Sequence, residues 1–156
     1  MESKNVSGFS LLELLIVIGI MAILGTFLSL NLFGLSQRKN IDSDTQKIAY
    51  ILRSAHDKSV EQESSSQWGV HFENPTTGTG FFAVFSGSYS SSSVSSRINL
   101  SSSDVFLNPS RGNYLDVVFL KESGLPSSTS SIIIALDSNN AVSSTITILP
   151  EGQVKY

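Results

Sequence analysis

The chain has 156 residues, no cysteine and a formal net charge of −3, enough for about one domain plus an extension. Lack of cysteine excludes disulfides, thiolate metal sites and thiol nucleophiles, and the mild acidity gives no global pull toward nucleic acid or anionic lipid. The composition is uneven, with apolar residues crowding the first third and most of the 31 serines lying beyond it.

Residues 14–37 carry no charge, a run of 24 positions bounded by Glu13 and Arg38. A helix needs about 20 mostly apolar residues to cross a bilayer, so residues 14–35 are expected to span one. A buried core helix rarely needs so long an apolar run on every face. A secretory signal peptide would combine a basic start, an apolar core of about 7–15 residues and a small-x-small cleavage site. Gly34-Leu35-Ser36 offers such a site, but the apolar core is too long and Glu13 stands where a basic flank belongs. Flanking charges do not orient the segment, because Glu2 offsets Lys4, and Arg38 and Lys39 follow the span. The span contains no proline, so Gly19, Gly25 and Gly34 are its candidate weak points.

Local order is more specific. The segment reads Gly8-Phe9-Ser10-Leu11-Leu12-Glu13, followed by Leu14-Leu15-Ile16-Val17-Ile18-Gly19-Ile20. It resembles the signature of prepilins and pseudopilins: a short leader ending in glycine, a large apolar residue after the cut, and a glutamate five residues into the mature chain. The resemblance implies a leader over residues 1–8, cleavage by a prepilin peptidase between Gly8 and Phe9, and N-methylation of Phe9, which leaves the amine able to carry its charge. A carboxylate at the edge of an apolar span is costly and marks a functional candidate. For Glu13 the family implies a partner, the Phe9 amine of a neighbouring subunit. In a low-dielectric bundle such a pair attracts strongly, and burying either charge alone is penalised.

Past the span the helical pattern continues as an amphipathic stripe. Ile41, Ile48, Leu52, Ala55 and Ser59-Val60 recur at helical spacing, with Asp44, Lys47, Arg53, Asp57 and Lys58 at other positions. A continuous helix over residues 9–63 would measure about 80 Å, its first half (9–35) transmembrane and its second (36–63) amphipathic. Residues 51–60 also resemble the "LRxAR…AI" helix of H-type minor pseudopilins.

After Ser64-Ser65-Ser66 the period changes from 3.6 to 2. Residues 67–73, 80–86, 114–121, 131–137 and 144–149 are expected strands, with shorter ones at 97–100, 105–107 and 153–156. Ser138-Asn139-Asn140 suits a hairpin turn, and Glu151-Gly152 a turn before the last strand. The serine-rich segments 86–96, 101–103 and 127–131 fall between strands as polar surface loops. The expected fold is α+β: a long N-terminal helix packed on an antiparallel β-domain over residues 64–156. A Trp-Gly-Val-x-Phe strand after the helix and the ending Ile-Leu-Pro-Glu-Gly-Gln-Val-Lys-Tyr resemble H-type pseudopilins of type II secretion and fimbrial T-type minor pilins.

Catalytic motifs are absent: no Gly-x-Ser-x-Gly elbow, phosphate loop or His-Glu-x-x-His occurs. His71 alternates with Val70 and Phe72 and is expected to face solvent or a polar partner. Asp137 with Asn139 and Asn140 supplies one carboxylate, too few for calcium, which takes six to eight oxygens. No metal or cofactor is expected. DNA capture is the alternative, since some related minor pilins bind DNA through basic residues near the C-terminus. Arg97, Arg111, Lys121 and Lys155 are the candidates here, and phosphate binding would need them to converge. The resulting expectation is a non-enzymatic minor subunit of a type II secretion or type IV pilus-like filament. Its implied partners are other pilin or pseudopilin subunits, prepilin peptidase, an inner-membrane assembly platform and lipid. The implied location is the bacterial inner membrane, crossed once, with the β-domain outside the cytoplasm.

Overall fold

A computed structural model describes residues 9–156, with the side chains of 27–35 left out of the description. Helix α1 covers Leu11–Val60, and eight strands follow: β1 Trp68–Asn74, β2 Phe81–Ser86, β3 Val94–Asn99, β4 Asp104–Asn108, β5 Asn113–Phe119, β6 Ser130–Leu136, β7 Asn139–Ile148 and β8 Val154–Lys155. The leader, Gly8 included, lies outside the described residues. The chain divides into two compact units, Met1–Ser36 and Gln37–Tyr156.

In the first unit α1 is apolar on every described face. The large apolar side chains from Phe9 to Leu24 are all 44–83% exposed. Among the described residues, no helix is long and apolar enough to cross a membrane. The expected span over residues 14–35 includes the undescribed side chains of 27–35, so it does not stand as a membrane crossing on the described residues.

In the second unit the remaining part of α1 packs on two antiparallel sheets, ordered β3-β2-β1-β5 and β4-β6-β7-β8. The core holds Ile48, Leu52 and Ala55 of α1, Val70, Phe72, Phe82, Val117 and Phe119 of the first sheet, and Ile132, Ile134, Ile146 and Ile148 of the second. The fold is thus α+β, a helix on antiparallel sheets, as the change of period implies. Alternation along β1 decides its two faces. Trp68, Val70 and Phe72 enter this core, while His71 and Glu73 point to the other side of the sheet.

Three details depart from the expected pattern. The β6–β7 turn is Asp137-Ser138, with Asn139 and Asn140 already in β7 and Asn139 opposite Leu136. The Asn139 carboxamide oxygen accepts the Ala141 N–H at 3.1 Å, so the asparagine organises the strand start instead of supplying a positive φ. The helix stops at Val60, not Glu63, because Gln62 turns left-handed at φ 57° and a 3₁₀ turn over Glu63–Ser65 follows. Finally, Asp44 belongs to the buried face of α1: one carboxylate oxygen accepts from Lys47 at 2.8 Å and the other from the Ser101 N–H at 2.7 Å.

Candidate functional site

The N-terminal site is built from the first turn of α1. Ser10 precedes the helix, and its hydroxyl accepts the Glu13 N–H at 3.4 Å while its carbonyl accepts the Leu14 N–H at 3.2 Å. Ser10 and Glu13 have the spacing of a capping box, and its serine half is formed. Ser-x-x-Glu before an apolar run was the available sequence signal for this start. The Glu13 carboxylate lies where unsatisfied N–H groups favour negative charge. It is exposed and has no ion-pair partner among the described residues. Phe9 is exposed beside it. The Glu13 carboxylate and the Phe9 ring are therefore both open to an outside partner. The Phe9 amine itself would form only on cleavage at Gly8.

The four basic candidates sit on different elements. Arg97, on edge strand β3, lays its guanidinium over the Phe81 ring at 3.6 Å. Arg111, between β4 and β5, reaches Asp137 at 3.8 Å. Lys121 is exposed just past β5, and Lys155 lies on β8 opposite Thr147. Two of the four already face a protein partner.

A second cluster, not anticipated from sequence, lies on the outer face of the first sheet. Arg97, Ala83, His71 and Asp116 stand directly opposite one another across β3, β2, β1 and β5. The His71 Nδ1–H donates to Asp116 at 2.5 Å, and Nε2 lies 3.4 Å from Glu73. The ring is buried because Tyr89, from the serine-rich β2–β3 loop, stacks on it at 3.6 Å and 7°. His71 does find a polar partner, as alternation implies, but under a tyrosine and not in open solvent. Burial, then the nearby Glu73 carboxylate, raises the Tyr89 phenol above its usual range; Arg97 opposes this and Asp116 adds to it. The signal was period-2 spacing of His71, Glu73, Tyr114 and Asp116, but the loop that delivers Tyr89 has no periodicity.

His56, on α1, meets Asp57 at 3.1 Å and the Phe119 ring edge-on at 5.6 Å. Among the described residues, no group of three or more His, Cys, Asp or Glu could hold a metal ion.

Residues 3–29 match the family described as the prokaryotic N-terminal methylation motif. No curated protein and no solved structure matches the chain. The motif supports a type IV pilin-like chain that is processed as a prepilin, with a peptidase and other pilin subunits as its implied partners. It points to a structural subunit over an enzyme and to a membrane-anchored or filament protein.

Proposed function

We propose that this chain is a minor subunit of a type II secretion or type IV pilus-like filament, cut between Gly8 and Phe9 and N-methylated on Phe9. The observation carrying this reading is the methylation motif over residues 3–29, set on a helix whose capped first turn presents a Glu13 with no ion-pair partner among the described residues. Apolar side chains exposed on every face from Phe9 to Leu24 need lipid or other chains to cover them. In the precursor, the segment 9–35 anchors the chain in the inner membrane, with the β-domain outside the cytoplasm. An assembly platform then draws it into the filament, where the same surface packs against the helices of neighbouring copies. There the Phe9 ammonium of one subunit meets Glu13 of the next, an attraction that fixes axial register because either charge buried alone would be penalised.

The test is Glu13→Gln in the producing bacterium, followed by mass measurement and cross-linking to other filament subunits. The mature mass is expected to match wild type apart from the substitution, while cross-linked assemblies fall by at least about tenfold, in line with loss of a partner from a buried pair. Assembly at the wild-type level would contradict the register role. The DNA reading predicts a salt-dependent mobility shift that weakens when Arg97, Arg111, Lys121 and Lys155 are neutralised. Arg97 on Phe81 and Arg111 on Asp137 favour the structural role.

A further inference from the structure

Beside the buried His71, the first sheet carries an open pocket of ≈ 560 Å³. Its walls include Tyr89, Tyr114, Glu73, Asp116 and Asn113, with His71 at the base. Three features define its chemistry. First, it holds two carboxylates, and among the described residues neither has a lysine or arginine partner; His71 is the group each one meets. Both remain partly open, with side chains 41% and 33% exposed for Glu73 and Asp116. Second, two phenol rings border the same space. Tyr89 is fixed by stacking on His71 and by an edge contact to Phe85, whereas Tyr114 lies 5.5 Å from His71 and is largely exposed. Third, the hydrogen bond from His71 to Asp116 holds one carboxylate in place, so the acidic wall does not have to be ordered when a ligand arrives.

Aromatic faces and carboxylates around one cleft select an organic cation. A flat guanidinium satisfies both, since it stacks on a ring and offers a fork of N–H donors to a carboxylate. The same sheet face already shows the stacking half of this arrangement, where Arg97 lies over Phe81. We propose that this pocket receives an arginine side chain from a partner protein, its guanidinium against Tyr114 and its N–H groups on Glu73 and Asp116. The site is built only from residues of the two-sheet unit, and it does not rest on the filament reading.

The experiment uses the full chain in detergent micelles with ring-¹³C tyrosine, whose four residues are Tyr50, Tyr89, Tyr114 and Tyr156. The probe is the blocked tripeptide acetyl-Gly-Arg-Gly-amide, with acetyl-Gly-Gln-Gly-amide as the neutral control. The arginine peptide is expected to shift the Tyr89 and Tyr114 signals saturably and leave Tyr50 and Tyr156 in place, with the glutamine peptide shifting none. Glu73→Gln and Tyr114→Ala, both at exposed edges of the pocket, should each weaken binding about two- to fivefold. No saturable shift at Tyr89 and Tyr114, an equal response to the glutamine peptide, or unchanged affinity in both variants would overturn the proposal.

Discussion

Asp104 is the one carboxylate among the described side chains that keep a buried polar atom unpaired, beside the Thr45 and Ser130 hydroxyls. It is buried at the start of β4, where one carboxylate oxygen accepts from the Ser103 hydroxyl at 2.7 Å while the other has no partner. Burial raises its pKa, the Ser103 hydrogen bond opposes that, and the Asp44 carboxylate raises it further. A carboxyl whose folded pKa is raised stabilises the fold fully only below its unfolded value near 4, and that contribution is lost as pH rises through the folded pKa. Asp104→Asn keeps the shape and removes the charge. Its melting temperature should exceed wild type at pH 7, and the gap should close as pH falls to about 3, where both forms are neutral. A variant less stable than wild type at pH 7 would mean that the charged form is the favoured one. Residue-scale facts of this kind were only partly legible in the sequence. Alternation gave His71 a polar partner but could not name Asp116, which lies 45 residues away. Asp44 read as a surface charge because its partner, the Ser101 backbone N–H, belongs to a serine-rich segment without a pattern.

At the scale of elements, strands were the clearest part of the sequence. All eight expected runs form strands, because Val, Ile and Phe at period 2 suit a half-buried pleated surface. Helix α1 was equally plain from its stripe, whose Ile41, Ile48, Leu52, Ala55 and Ser59 are buried, while Val60 at its end is exposed. The way the helix joins the sheets was not. Ser59, at its C-terminal end, accepts the Trp68 N–H at 2.8 Å and donates to the Phe119 carbonyl at 3.0 Å, clasping α1 to β1 and β5. Beside it, Gly124 at φ 65° and Gly152 at φ 85° bring two turns against His56. A Cβ on Gly124 would fall 2.6 Å from Val60 Cγ2 and 2.7 Å from the His56 ring, in a backbone conformation that L side chains resist. Gly124→Ala should therefore lower unfolding stability by roughly 1–3 kcal/mol, read from the denaturant midpoint. A midpoint within error of wild type would show that this turn can relax away from α1.

For the whole molecule, two different physical signals carry two different conclusions. The second unit buries most of its large apolar residues within itself, the later part of α1 against the two sheets, and its fold follows from period and burial without reference to any relative. The N-terminal segment does the opposite. Its described apolar side chains, from Phe9 to Leu24, stay exposed in the isolated chain, so its meaning depends on what surrounds it, lipid or other helices. Glu13 was legible as a costly charge at the edge of an apolar run, but the partner proposed for it belongs to another molecule, so only the motif could suggest it. The outer-face pocket was legible only as period-2 spacing along β1 and β5, since it also needs those two strands paired in register and the Tyr89 loop folded back over them.

The central claim is that Phe9 becomes the N-terminus. Intact-mass measurement with N-terminal fragmentation of the protein from its producing bacterium tests it most directly. The expected mature chain begins at Phe9, lacks Met1–Gly8 and carries one methyl group on the terminal amine. A chain that still begins at Met1, or one that begins at Gln37 after signal-peptide cleavage, would contradict it.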